Sequence, residues 1–355
     1  MTQTPTDTGE PRLTSLAHGG GCGCKIAPGV LSNLLRGSAA LPVPPQLLVG
    51  IETSDDAAVY QLNDHQALVA TTDFFMPVVD DPFHFGQIAA TNAISDVYAM
   101  GATPILALAV VGMPINTISH DTIARVLDGG ADICRQAGIP IAGGHTIDSV
   151  EPIYGLVAIG LIDPAKLKKN ADAQTGDLLV MGKPLGVGVM SAALKKGVLD
   201  DAEYARMIQV TTLLNRPGPD LAALSGVHAM TDVTGFGLGG HALEMARGSG
   251  CDLHIDWAAV PKLAGIQAMI EAGHVTGASH RNWASYGEGV ALPEGFDDGA
   301  RALLTDPQTS GGLLVACAPD ALDQVNACFA KHGFTDATVI GKVGATTKTP
   351  RVVIG

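Results

Sequence analysis

Apolar and polar positions alternate along this chain in blocks that switch repeatedly between a strand period and a helix period. Residues 57–62 and 66–71 flank Asn63-Asp64, a polar pair suited to a hairpin turn, and predict two antiparallel strands. The apolar spacing over 85–100 predicts a helix, with Gly101 placed where a left-handed C-terminal cap belongs. The run 105–112 reads as a buried strand, 121–137 as a helix, and 139–142 and 154–162 as further strands. A short helix is predicted over 29–36, closed by Gly37 and the breaker Pro42-Val43-Pro44-Pro45. After the polar stretch 163–177 the mixture resumes, with strands at 178–181, 251–257, 313–317 and 339–343. Helices are expected at 187–196, 202–214, 237–247 and 322–332, and 230–235 reads as a strand running into a glycine turn. The pattern predicts two mixed α/β (α+β) domains, over 46–165 and 166–355, preceded by a segment 1–45 whose first 17 residues look disordered.

Composition narrows the function. A formal charge of −14 over 355 residues argues against a surface that coats nucleic acid, which needs clustered Lys and Arg. A polyanionic substrate remains compatible if divalent cations stand between it and the protein. The six cysteines are too scattered for a disulfide framework; Cys134, Cys251, Cys317 and Cys328 sit in apolar segments and read as small buried hydrophobes. Residues 1–10 lack the apolar core of a signal peptide, and the longest apolar run, 105–113, is too short to span a membrane. The expectation is a cytoplasmic protein in which Cys22 and Cys24 stay reduced.

The candidate chemistry begins at His18-Gly-Gly-Gly-Cys-Gly-Cys-Lys25, where glycines bracket two thiols and an ammonium. A half zinc site or an inert tail is the alternative, although the second ligand pair of a zinc motif is missing. Carboxylates recur at Asp55-Asp56, Asp73, Asp96 and Asp232, and Asn92 and Asp96 are four apart on one helical face. Carboxylates on apolar elements are expensive unless they are paired or bind cations, and an oxygen-rich cluster favours Mg2+. Each also admits a plain turn or solvated reading. Gly143-Gly144-His145-Thr146, after a short strand, reads as a glycine turn offering backbone N–H groups to an anion, as less clearly does Gly235-Phe236-Gly237. There is no G-x-x-x-x-G-K-[ST], G-x-S-x-G or protein-kinase signature. Together the residues point to nucleotide-dependent phosphoryl transfer with a sulfur component, and leave the acceptor open.

These stretches resemble the selenophosphate synthetase (selenide, water dikinase) family. The likeness is carried by the loop 18–25, Glu52-Thr-Ser-Asp-Asp-Ala-Ala-Val-Tyr60, Thr71-Thr-Asp-Phe-Phe-Met-Pro77 and Ala90-Thr-Asn-Ala-Ile-Ser-Asp96. It continues through Ala142-Gly-Gly-His145, Met230-Thr-Asp-Val-Thr-Gly-Phe-Gly237 and Asp306-Pro-Gln-Thr-Ser-Gly-Gly312. The resemblance implies the fold of aminoimidazole ribonucleotide synthetase, with amino-terminal domains pairing into a β-barrel across a homodimer. It implies conversion of ATP, selenide and water into selenophosphate, AMP and phosphate, with Mg2+ and K+ as cations and room for a selenium-delivery protein as partner. Carried over by motif, Cys22 is the essential thiol and Lys25 the phosphate-contacting lysine. Asp56, Asp96 and Asp232 are the implied Mg2+ ligands. Lys25, Thr53, Ser54, Asp55, Asp73, Asp96, Gly144, His145 and Thr146 are the implied ATP site. Two alternatives stand beside this: another kinase of the same fold, such as thiamine-monophosphate kinase, and a non-enzymatic thiol metal-binding protein.

Overall fold

A computed structural model of the chain describes residues 9–26, 30, 34, 43–50 and 55–355. The helix predicted over 29–36 lies, but for positions 30 and 34, outside the described residues, as do Thr53 and Ser54.

The first half builds a six-stranded sheet in the order β1-β2-β3-β6-β4-β5. Its strands are β1 (Leu47–Val49), β2 (Ala58–Asn63), β3 (Gln66–Phe75), β4 (Thr103–Met113), β5 (Ile141–Asp148) and β6 (Ile153–Ile162). The predicted hairpin forms as β2 and β3, but β3 runs on to Phe75, so Asp73 lies inside the strand, opposite Leu156 of β6. Helix α1 (Pro82–Ala99) packs on β3 and β6, and α2 (His120–Ala137) packs along α1. Pro82 follows the N-cap Asp81, whose side chain accepts from His84 N at 2.9 Å, so the start of α1 is fixed locally. Gly101 takes φ +79 just past its end, as the sequence predicts. The opposite face of the sheet presents Tyr60, Leu62, Phe74 and Ile147 to solvent.

The second half forms a seven-stranded sheet in the order β10-β13-β9-β12-β7-β11-β8. Its strands are β7 (Leu178–Met181), β8 (Val227–Asp232), β9 (Cys251–Ile255), β10 (Val290–Ala291), β11 (Leu313–Cys317), β12 (Thr338–Thr346) and β13 (Val352–Ile354). The helices are α3 (Val187–Lys195), α4 (Asp201–Thr211), α5 (Pro217–Ala222), α6 (Gly237–Ser249), α7 (Ile266–Glu271), α8 (Gly277–Tyr286), α9 (Asp298–Leu304) and α10 (Leu322–Lys331). Every residue of β11 is buried, because both faces of this sheet are covered. Leu314 and Ala316 join the main core, whereas Leu313, Val315 and Cys317 join a second core under α5 and α10. That two-sided burial explains why β11 reads as a continuous apolar run rather than an alternating one.

Helix α1 lies between the two halves, touching β8, α4 and α5 as well as its own sheet. Its burial on nearly all sides leaves polar Asn92 and Ser95 enclosed between the sheets. Residues 9–17 depart from the expected disorder. Leu13 is buried in the core, and Arg12 Nε donates to Asp80 Oδ2 at 2.7 Å while Thr14 N donates to Asp80 Oδ1 at 3.0 Å.

Candidate active site

The glycine loop does not hang free. Residues Gly21–Cys24 form a 3-10 turn lodged at the junction of the two halves, and Cys22 is only 1 % exposed. Gly21 sits at φ +53, and a Cβ there would lie 2.2 Å from Thr309 Oγ1, so only glycine fits this approach. Cys22 N in turn donates to Thr309 Oγ1 at 3.1 Å, and the thiol donates to Asn92 Oδ1 at 3.1 Å. The loop's flanks are tied by Lys195 Nζ to Ala17 O at 3.0 Å, Arg281 Nη2 to Gly23 O at 3.0 Å and His18 Nδ1 to Glu151 Oε2 at 2.9 Å.

Cys22 faces a cluster of acids drawn from four separate segments. Asp73 comes from β3, Asp96 from α1, Asp232 from the end of β8 and Asp56 from the turn before β2. Asn92 links them to the loop: its Nδ2 donates to Asp73 Oδ2 at 2.7 Å, while its Oδ1 accepts from both Cys22 and Ser310 N. Lys25 Nζ lies 3.2 Å from Asp73 Oδ2 and keeps 40 % of its side chain exposed. Thr71 Oγ1 donates to Asp96 Oδ2 at 2.5 Å, and Thr231 Oγ1 donates to Asp56 Oδ1 at 2.9 Å. Ser95 Oγ donates to Asp232 Oδ2 and accepts from Asn215 Nδ2 at 2.7 Å.

The electrostatics of this cluster are unbalanced. Burial pushes the carboxyls of Asp56 and Asp96 well above the ordinary range, and repulsion from Asp232 adds to it. Asp232 is raised too, chiefly by burial. Among the described residues, Asp56 Oδ2 and Asp232 Oδ1 are buried without a hydrogen-bond partner. Carboxylate oxygens left so in a protein interior cost free energy that a bound cation recovers. An all-oxygen donor set of this kind fits a hard divalent ion. Asp73, and secondarily the acids beyond it, hold the Lys25 ammonium well above its ordinary value. Burial, followed by the charge of Asp73, pushes the Cys22 thiol far up, so the enclosed sulfur is an S–H and not a thiolate.

The other sequence candidates lie elsewhere. Asp55 Oδ1 accepts from Asn170 N at 2.8 Å, a link between the two halves. Gly143-Gly144-His145-Thr146 is not a turn, as the sequence reading expects, but the middle of edge strand β5. A Cβ on Gly144 would lie 2.1 Å from Ala109 O, so here glycine lets β4 approach rather than bending the chain. Gly144, His145 and Thr146 are exposed, and Asp73 lies three strands away along the row Asp73–Leu156–Ala109–Gly144.

Several site residues escape a reading of the sequence by residue type. Ser95 and Asn215 are uncharged and lie 120 residues apart in the chain, whereas Asn92 is marked in the sequence by its spacing from Asp96. Thr309 and Ser310 belong to the Asp306–Gly312 run, whose density of polar residues in an apolar region is the signal that marks them. Asp306 Oδ2 accepts from Gly188 N at 3.0 Å and Gln308 Oε1 from Gly186 N at 2.9 Å, pinning the run to the start of α3. Ser310, at φ 55 the one non-glycine residue with positive φ among the described residues, is held by Lys183 Nζ on its carbonyl at 2.8 Å.

Comparison with known proteins agrees with this architecture. Family models described as AIR synthase related protein, N-terminal domain and C-terminal domain, match residues 54–162 and 174–353. A selenide, water dikinase of Burkholderia pseudomallei is 67 % identical over 344 residues, 97 % of each chain. The enzyme of that name from Dechloromonas aromatica is 62 % identical, covering 94 % of this chain and 95 % of its own. That from Rhizobium meliloti is 56 % identical, covering 97 % and 98 %. Among solved structures, a thiamine-monophosphate kinase from Stenotrophomonas maltophilia shares the fold at TM-score 0.62 and 23 % identity, covering 87 % of this chain and 91 % of that one. The hydrogenase maturation protein HypE in complex with ATP does so at TM-score 0.63 and 21 % identity, covering 91 % and 90 %. With a buried Cys22, Lys25 and three clustered carboxylates set between two AIR synthase related halves, the chain belongs to the selenide, water dikinase family.

Proposed function

We propose that this protein uses ATP to convert selenide and water into selenophosphate, releasing AMP and phosphate. The observation that carries the reading is the seating of Cys22 and Lys25 in the wall of the carboxylate cluster. A kinase that needs only ATP and an alcohol or phosphate acceptor has no use for a buried thiol there. Asp56, Asp96 and Asp232 would hold Mg2+, which supplies charge neutralisation to the transferring phosphates. Lys25, steered by Asp73, provides a fixed cation beside them. Asn92 holds the Cys22 thiol and the Asp73 carboxylate in one frame, so loop position and acid position are coupled.

Selenide is already a strong nucleophile, and the chain's task is to exclude water while it reacts and to admit water afterwards. The 3-10 turn over the acids, with its flanks tied at Ala17, Gly23 and His18, supports the first role; breaking those few ties would open the loop for the second. Asp55, Asp73, Gly144, His145 and Thr146, together with Thr53 and Ser54, are proposed to contribute to nucleotide binding. A homodimer formed through the uncovered face of the first sheet is the second part of the proposal. Tyr60, Leu62, Phe74 and Ile147 make that face apolar, and β5 leaves an open edge. No described helix is long and apolar enough to cross a membrane, which accords with the proposed cytoplasmic setting.

The test is chromatography of nucleotides after anaerobic incubation with ATP and Mg2+. AMP that accumulates only when selenide is present supports the proposal. ADP as the sole product, with or without selenide, assigns the chain to another phosphoryl transfer of this fold.

A further inference from the structure

On the outer side of the second sheet, far along the chain from the glycine loop, three side chains with metal-binding chemistry converge. Cys328 lies in the last turn of α10 and His332, four residues on, is its C-cap residue. Asp220, on α5, faces them. One donor atom from each, the Cys328 sulfur, a His332 ring nitrogen and an Asp220 carboxylate oxygen, all lie within 4.8 Å of one another. Ligand atoms around a tetrahedral zinc stand roughly 3–4 Å apart, given metal–ligand bonds of about 2.0–2.3 Å. Small side-chain rotations therefore close the set.

We propose that Asp220, Cys328 and His332 form a binding site for Zn2+ or a similar borderline-soft divalent ion, separate from the carboxylate cluster. The donor chemistry selects the ion. One sulfur, one imidazole nitrogen and one carboxylate oxygen suit Zn2+ or Co2+ and are a poor match for Mg2+, which wants oxygen throughout. Three protein ligands leave the fourth position to water. The surroundings are those of a usable site. Cys328 is buried beside Phe329, Val325 and Leu221 in the second core, whereas Asp220 keeps 45 % of its side chain exposed, giving the ion a way in from solvent.

Hydrogen bonds to the Asp220 carboxylate already draw these groups together. His332 Nε2 lies 2.9 Å from Asp220 Oδ2, and Lys331 Nζ donates to the same oxygen at 2.7 Å. The Lys331 ammonium and the His332 ring thus already converge on this carboxylate, so a positive charge is what the position accepts. Lys331, 68 % exposed, can swing into water, while Cys328 is buried and His332 only 20 % exposed. Binding would release the thiol proton and join α5 to α10 across the second core. The site stands independently of the reading of the active site.

The experiment titrates Co2+ into the reduced full-length protein at saturating Mg2+, which occupies the oxygen-only cluster. A near-ultraviolet sulfur-to-cobalt charge-transfer band rising to one equivalent is expected, bleached when Zn2+ is added. The band should persist in a Cys22→Ser/Cys24→Ser variant and vanish in Cys328→Ala. Co2+ affinity should fall at least about tenfold in His332→Gln, which perturbs the fold least, and rise in Lys331→Met as the competing ammonium is removed. Selenide-dependent turnover of Cys328→Ala should match wild type. No band, a band that survives in Cys328→Ala, or one lost with Cys22 and Cys24 overturns the assignment.

Discussion

Asp56→Asn should act in opposite directions on the metal-free and the metal-loaded protein. In wild type, Asp56 Oδ1 accepts from Thr231 while Oδ2 has no partner among the described residues and faces the charges of Asp232 and Asp96. An asparagine keeps the Thr231 contact, removes one of three mutually repelling charges and offers two N–H donors to the acids that remain. The sign follows from linkage. A carboxyl whose folded pKa is raised opposes folding above its unfolded value of about 4, and the penalty is relieved as pH falls toward the folded value. At neutral pH without metal, the substitution should therefore stabilise the fold. The unpaired buried group costs on the order of 1–3 kcal/mol. At about 2–4 °C of Tm per kcal/mol, that is a rise of several degrees. With Mg2+ the order reverses. An ion present at about 1,000 times its Kd adds about 4.1 kcal/mol to the wild type, more than the metal-free advantage of the variant, and a variant lacking one ligand gains little of it. Thermal melts of both proteins in chelator and in saturating Mg2+ measure this directly. If Asp56→Asn melts lower than wild type in chelator and gains equally from Mg2+, Asp56 is a structural turn residue and the metal reading fails. Asp96→Asn and Asp232→Asn should share the loss of Mg2+-dependent ATP consumption.

The two thiols of the loop should separate cleanly. Cys22→Ser should abolish selenophosphate formation while nucleotide binding survives, Cys24→Ser should keep much of the activity, and Lys25→Ala should lose it. Gly21→Val places a Cβ where Thr309 Oγ1 is 2.2 Å away, at φ +53, and should unseat the turn. Alkylation of Cys22 by iodoacetamide, followed on its tryptic peptide, should then quicken by about tenfold or more over the buried wild-type thiol; an unchanged rate would mean that the turn does not shield it. Burial depresses the Lys183 ammonium to about 7, and it donates to the Leu213 and Ser310 carbonyls, at 2.6 and 2.8 Å. Between about pH 7 and 10 the unfolded chain binds the extra proton, so this lysine's contribution to stability rises with pH. The Tm of wild type should climb relative to Lys183→Met across that window, and parallel curves would contradict it. Analytical ultracentrifugation should find a dimer at micromolar concentration, whereas a monomer would count against the apolar sheet face as an interface.

Much of this molecule was legible in its sequence where one local signal fixed the outcome. The strands β7 and β11 are bounded as the apolar runs predict, and Gly101 caps α1 as its position requires. Helices α7, α8 and α9 were not anticipated, because segments of 6, 10 and 7 residues are too short to show a helical period and take their shape from tertiary packing. Asp56, Asp73, Asp96 and Asp232 stood out as carboxylates in apolar company, and they do converge. The glycine pair at 143–144 misled, since a glycine needed for close strand approach carries the same letter as one needed for a turn. The ordering of residues 9–17 was also hidden: it rests on Arg12 meeting Asp80, 68 residues away, which no local pattern encodes.

The central claim is that the site joins selenium to the phosphorus of ATP, and phosphorus-31 NMR of an anaerobic mixture of protein, Mg2+, ATP and selenide tests it most directly. The account predicts a resonance flanked by selenium-77 satellites, growing in step with equal amounts of AMP and orthophosphate and absent with Cys22→Ser. ATP consumed at the same rate without selenide, or ADP accumulating with no phosphorus–selenium signal, would contradict it.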